Sequence, residues 1–168
     1  MQGRSFLTIT DFSPSEINTV LETARQQKDL GDGEQSDELL GKTIVLLFDK
    51  PSLRTRVSFE RAAMRLGAKS LYLSPAEVGL GKREPVKDVA RVLSRYCDLV
   101  VCRTFSQDTL VELDQYSSIP IINGLSDWEH PCQVLADLLT IREHSGARGL
   151  CAPGVVGSHG RSLVFIGD

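Results

Sequence analysis

Apolar positions along this chain fall into two alternating patterns: short unbroken runs and longer stretches with helical spacing. The run at residues 43–49 is aliphatic and shows no alternation, which predicts a strand covered on both faces. Residues 55–66 carry a helix-like pattern, and Gly67 is a natural stop. The alternation then repeats. Strands are expected at 69–73, 98–102 and 119–122, and helices at 85–96, 106–116 and 131–143, with a glycine-bearing loop at 74–84. The helix opened by Pro85 sets Val86, Val89, Ala90 and Leu93 on one face. Upstream, Ser13-Pro14-Ser15-Glu16 reads as an N-cap, a proline at the first helical position and a capping-box glutamate. Ile17, Val20, Leu21 and Ala24 continue that helix, and Gly31-Asp32-Gly33 closes it in a loop. Strands alternating with helices at this spacing predict an α/β domain, a parallel sheet with flanking helices joined by right-handed crossovers.

The last stretch differs. Residues 146–161 are rich in Gly, Ala and Ser and read as a linker, and residues 162–168 read as a strand ending in Gly167-Asp168. A buried parallel strand with no helix after it suits the opening of another unit. The expected division is a first domain over 1–145, a linker over 146–161 and the first strand of a second domain over 162–168.

Composition narrows the classes of function. The 168 residues are 41% apolar and 24% charged, as in ordinary soluble proteins. A net charge of −3 gives no electrostatic footprint for DNA or RNA, so no nucleic-acid partner is expected. No apolar run approaches the roughly 20 residues that span a bilayer. The start lacks the apolar segment of a secretory signal, so a cytoplasmic protein without membrane association is expected. The four cysteines form no CxxC pair and no zinc-ligand spacing, so no metal is expected. Cys97 and Cys102 flank a strand and suit buried thiols. Cys132 beside His130 raises a nucleophile, although a sequence neighbour is rarely the activating base.

The polar residues then carry the chemistry. Ser52-Leu53-Arg54-Thr55-Arg56 lies where a strand turns into a helix, and free N–H groups, hydroxyls and guanidiniums there make an anion site. In open parallel sheets, ligands bind beyond the carboxyl ends of strands. Arg103 and Thr104 follow another strand, and Asn123, His130 and Gln133 follow a third. Each has a plainer reading: Arg54 paired with a surface carboxylate, Arg103 as an ordinary surface residue, His130 as a helix cap, Gln133 solvated. Arg56 suits a brace to Glu60 at i,i+4. No Walker-type or Gly-x-Gly-x-x-Gly motif indicates a nucleotide. Two cations, a histidine and an amide fit polarising a carbonyl next to a phosphate, which is acyl-phosphate transfer.

These motifs resemble a known family. The run from Phe48 through Ser52, Arg54, Thr55, Arg56, Ser58, Phe59 and Glu60 resembles the carbamoyl-phosphate signature of the aspartate/ornithine carbamoyltransferases. Asn123-Gly124-Leu125, His130-Pro131-Cys132-Gln133 and Leu135-Ala136-Asp137-Leu138-Leu139-Thr140 resemble the ornithine branch. The resemblance implies the family's carbamoyl-phosphate domain and transfer of a carbamoyl group from carbamoyl phosphate to L-ornithine. Citrulline and phosphate would be the products, a step of arginine metabolism, with no metal or organic cofactor. Ser52, Leu53, Arg54 and Thr55 would hold the phosphate, Arg54, Arg103 and His130 would polarise the carbamoyl oxygen, and Gln133 would take the carbamoyl NH2. It further implies homotrimers or multiples of trimers, with sites at subunit interfaces.

Departures from the family pattern are local. Leu53 stands where many members have threonine, and backbone N–H groups can serve the phosphate there. Gly79 stands where ornithine-type members often have glutamine, in a loop expected to reach a neighbouring subunit, and Lys82 is the compensating cation. Trp128-Glu129 reverses the commoner acidic-tryptophan order. With the ornithine-binding domain beyond residue 168, this chain is expected to bind carbamoyl phosphate or phosphate without turning over ornithine. The alternatives are an aspartate or N-acetylornithine carbamoyltransferase, or an anion-binding module without catalysis.

Overall fold

A computed structural model describes residues 3–31 and 34–145. The expected linker, the terminal strand, Cys151 and part of the 31–33 loop lie outside the described residues. Four parallel strands form one sheet: β1 (Thr43–Phe48), β2 (Lys69–Leu73), β3 (Leu99–Arg103) and β4 (Ile121–Leu125), in the spatial order β2-β1-β3-β4. Six helices accompany them: α1 (Pro14–Asp29), α2 (Leu53–Arg65), α3 (Pro75–Val78), α4 (Val86–Tyr96), α5 (Gln107–Tyr116) and α6 (Pro131–Ser145). The α/β parallel-sheet expectation holds.

β1 is buried from Ile44 to Phe48, as its unalternating run demands. Its side chains serve both faces in turn. Val45 and Leu47 join Val100, Cys102 and Ile121 under the apolar stripes of α4 and α5, including Val86, Val89, Leu93, Leu110 and Leu113. Ile44, Leu46 and Phe48 face the other way, onto Ala63 and Phe59 of α2. Each large apolar side chain fully buried this way stabilises the domain by about 1.5–3 kcal/mol. α1 packs on α6, and α6 packs on β4. The β2 edge is the less covered one.

Two of the boundaries that depart from the sequence pattern matter for function. α2 begins at Leu53 rather than 55, because Ser52 takes extended dihedrals and caps it. β4 runs to Leu125 rather than ending at 122, so Asn123 is a buried strand residue and not part of the turn beyond it. The extension follows from an edge partner. Phe6 N–H donates to the Ile121 carbonyl at 2.8 Å, and Asn123 N–H donates to the Phe6 carbonyl at 2.9 Å, so the N-terminal segment closes that side of the sheet. The loop at 74–84 contains the single turn of α3, with Glu77 accepting from Ser74 N–H at 2.7 Å. The Ser13 capping box forms as expected, with Glu16 accepting from Ser13 N–H at 2.8 Å.

Chain order places the functional edge. From β1 the chain crosses to β2 on one side, and later to β3 on the other. The carboxyl ends of β1 and β3 are thus a topological switch point, where an open crevice is left between diverging connections. Phe48 and Arg103 pair in register there, and Asp49 N–H donates to the Arg103 carbonyl at 2.8 Å.

Candidate functional site

At the β1 end, Ser52 Oγ accepts from Thr55 N–H at 3.4 Å and donates to Thr55 Oγ1 at 3.0 Å. The first turn of α2 therefore presents its remaining N–H groups and the positive end of its dipole to the crevice. Leu53 is 79% exposed, so its side chain adds nothing to the core and its backbone is what the turn uses. At the β3 end, Arg103 Nη1 donates to Thr55 Oγ1 at 3.2 Å. Arg103 Nε is buried with no partner, an uncommon state for a charged donor. Burial pulls this guanidinium below the ordinary arginine value, although arginine keeps its charge in any protein.

The third contribution comes from beyond β4. His130 caps α6, its Nδ1 accepting from Gln133 N–H at 3.4 Å. That bond leaves the proton of a neutral ring on Nε2, so Nε2 is the nitrogen able to donate. Burial, and then the Arg103 charge, push His130 below its usual value, against a smaller upward pull from Asp137. A neutral imidazole at pH 7 follows. His130, Gln133, Arg54 and Thr55 line one cleft of about 330 Å3 whose apolar wall includes Phe59 and Ala136. Among the described residues Arg54 makes no hydrogen bond or ion pair, so the surface-pair reading does not apply there. Gln133 Nε2 donates to Asp137 at 2.9 Å, an exposed helix pair worth only about 0.2–0.5 kcal/mol and easily exchanged for a ligand. Larger cavities exist, about 520 Å3 beside Arg4 and Asp114 and about 710 Å3 beneath α1 and α6, but neither gathers the cations, hydroxyls and imidazole together.

Residues 4–143 match the family described as aspartate/ornithine carbamoyltransferase, carbamoyl-P binding domain. The chain belongs to the aspartate/ornithine carbamoyltransferase family. It is 51% identical to an ornithine carbamoyltransferase of Hyperthermus butylicus over 170 residues, covering 100% of this chain and 51% of that protein. The structure resembles an ornithine carbamoyltransferase from Pyrococcus furiosus with a TM-score of 0.82 and 45% identity, over 85% of this chain and 46% of that one. An N-acetyl-L-ornithine transcarbamylase is also similar, with a TM-score of 0.77 and 34% identity over 84% of this chain and 48% of that one. The chain spans about half the length of the curated relatives it matches.

Within the carbamoyltransferase framework, the remaining sequence candidates separate. Arg56 is structural here: it pairs with Glu60 at 3.0 Å and lies 3.9 Å from the Tyr72 ring centroid. Burial pushes the Cys132 thiol up to about 11, which disfavours the thiolate a nucleophile needs, and its Sγ lies 3.5 Å from the Asn123 carbonyl. Gly79 ends α3 with φ of +59°, where an added Cβ would meet Arg83 Cβ at 2.8 Å, so glycine is dictated locally. Lys82 is exposed, and neither residue lines the cleft. Among the described residues no helix is long and apolar enough to cross a membrane, and no group of three His, Cys, Asp or Glu could hold a metal.

Sequence reasoning missed what holds the loop before His130. Asn123 Nδ2 donates to the Leu7 carbonyl at 2.8 Å, and its Oδ1 accepts from Leu125 N–H at 2.9 Å. Gly124 lies so close to β3 that a Cβ would meet Val101 Cγ1 at 3.2 Å and the Cys102 carbonyl at 3.3 Å. Leu125 then takes a φ of 154°, unusual for a residue with a side chain. The sequence marked Asn123-Gly124-Leu125 as a motif but not that Asn123 is fixed inside the core.

Proposed function

We propose that this chain carries the carbamoyl-phosphate half of an ornithine carbamoyltransferase, transferring the carbamoyl group from carbamoyl phosphate to the δ-amine of L-ornithine to give L-citrulline and phosphate. The observation that carries the reading is the convergence of Arg54, Thr55, His130 and Gln133 on one cleft, with Arg103 bonded to Thr55 behind it.

In this reading the phosphate sits on the first turn of α2, against the N–H groups after Ser52, the Thr55 hydroxyl and the Arg54 guanidinium. Arg103 and the His130 Nε2–H aim at the carbamoyl oxygen, and the Gln133 carbonyl accepts from the carbamoyl NH2. The amine lone pair attacks the carbamoyl carbon, and oxygen takes the displaced π electrons. Donors fixed in a half-buried site are worth most at that moment, when the oxyanion charge has grown. The oxyanion then collapses, the bond to phosphate breaks, and phosphate leaves on the cationic turn while the amine loses its proton. A histidine held neutral suits this work, because it polarises without giving up a proton.

The ornithine site belongs to the length of the relatives that this chain does not span, so turnover belongs to the longer protein. A homotrimer or multiple of trimers, with residues 79–82 reaching a neighbour's site, a cytoplasmic location and a role in arginine metabolism complete the proposal. N-acetylornithine is the second reading, supported by the likeness to an acetylornithine transcarbamylase, although the ornithine enzymes are more similar.

Calorimetric titration of carbamoyl phosphate into the 168-residue chain tests the reading. Saturable one-site binding that Arg54→Ala abolishes is expected. Failure of the parent to bind, both alone and within the full-length protein, overturns it.

A further inference from the structure

The loop at residues 125–130 starts on the last residue of β4 and has no helix or strand beyond it, yet several of its polar groups are bonded. Ser126 Oγ accepts from Trp128 N–H at 3.2 Å and from Glu129 N–H at 3.3 Å, and Ser126 N–H donates to the Glu129 carbonyl at 3.2 Å. This knot is then fastened from two sides. From α5, Gln107 Oε1 accepts from Ser126 Oγ at 2.6 Å, while Gln107 N–H donates to Asp127 at 2.7 Å. From the N-terminal segment, Ile9 N–H donates to Glu129 Oε2 at 3.0 Å. Asn123 Nδ2 adds a bond to the Glu129 carbonyl at 3.3 Å. His130 is the next residue.

We infer that Gln107 and Glu129 are positioning residues that clamp the 125–130 loop between α5 and the N-terminal segment and so hold His130 over the cleft. The inference rests on the acyl-phosphate reading of that cleft. Neither side chain lines the cleft itself, so neither is a ligand contact. The physical case is one of constraint. Past Leu125, the last ladder residue of β4 and one with a φ of 154°, the loop has no helix or strand to fix it, and its geometry must come from side-chain bonds to rigid neighbours. A histidine that loosens by an ångström loses the aligned hydrogen bond on which polarising a carbonyl depends. Ser126 is 8% exposed, so its bond to Gln107 is shielded from competing water.

The clamp separates two ligands. Inorganic phosphate needs only the α2 turn, whereas carbamoyl phosphate also needs His130. Gln107→Met and Glu129→Met keep side-chain volume and remove the acceptor. Each is expected to weaken carbamoyl phosphate binding by roughly tenfold, as loss of one aligned bond does, while leaving phosphate binding within about twofold. Glu129→Gln keeps an oxygen for Ile9 N–H and is expected to restore the parent affinity. An NMR titration of His130 gives a ligand-free readout. Its proton affinity should rise toward the usual histidine value in both Met variants, as the ring leaves the burial and the Arg103 charge that depress it, and should return in Glu129→Gln.

If the parent binds neither ligand, alone or within the full-length protein, the acyl-phosphate reading fails, and the His130 titration still decides the clamp. If the Met variants bind carbamoyl phosphate like the parent and His130 titrates unchanged, the clamp is wrong. Loss of phosphate binding together with carbamoyl phosphate binding would mean a role in the whole domain, and that too overturns positioning.

Discussion

The two turns that build the cleft reach the same place by opposite means. The β1–α2 turn is made almost entirely from its own sequence: Ser52 caps, Thr55 answers three residues later, and the helix itself supplies N–H groups. The β4–α6 loop is made from elsewhere. Its partners are Leu7 and Ile9, 116 and 120 residues away from the residues they hold, and Gln107 on another helix. The first turn is a local motif and tolerates change around it. The second is a tertiary object, and its histidine is only as well placed as the segments that hold it. A site can therefore have one robust half that binds charge and one dependent half that does the aligned chemistry.

That contrast can be broken experimentally. The largest effect on stability is expected at Asn123, which is fully buried and serves both Leu7 and Leu125. Asn123→Leu leaves a half-buried carbonyl and a half-buried N–H without partners, at about 1–3 kcal/mol each. Urea unfolding should show the loss, whereas Ser52→Ala in the local turn should cost only about 1 kcal/mol, the usual worth of an N-cap. Were the two variants equally destabilised, the local-versus-tertiary distinction would fall.

Arg103 sits between the halves, so Arg103→Met should damage both. Carbamoyl phosphate affinity is expected to drop by roughly a hundredfold, since truncating one partner of a half-buried charged contact costs about 2–5 kcal/mol. The same substitution removes a charge that depresses His130, so the histidine should titrate higher. An unchanged His130 titration would show that the two residues do not face each other. Asp137→Asn should move His130 the other way, further below the usual value, by the smaller influence of that carboxylate.

The smallest effect is on stability against pH. Folded His130 takes its proton less readily than the unfolded chain, which titrates near 6.5. Between those two values the unfolded state binds more protons, so stability rises with pH across that window. The contribution is fully present above about 6.5 and is lost as pH falls toward the folded value. Urea midpoints of the parent should therefore fall more between pH 7 and pH 5 than those of His130→Asn. Parallel slopes would contradict the depressed histidine.

Most of the architecture was legible because it rests on local rules. The unalternating run of β1, the stripe of α4 and the Ser13 cap each announce themselves within a few residues. The strand-end guanidiniums stood out in the sequence because that edge of a parallel sheet is where ligands gather. What stayed hidden was assembled at long range. Asn123 belonged with the functional turn by sequence, yet its side chain is fixed within the core by backbone groups of the first residues. Glu129 stood out only for its order beside Trp128, because its partner is an N–H more than a hundred residues upstream. Gly79 carried no sign that its own turn requires it.

The most direct test of the central claim, that two unlike turns act on one ligand, is a pair of calorimetric titrations with His130→Ala. Carbamoyl phosphate should bind this variant at least roughly tenfold more weakly than the parent, and inorganic phosphate should bind both alike. Carbamoyl phosphate binding that ignores the loss of His130 would mean that the β4–α6 loop takes no part in the site.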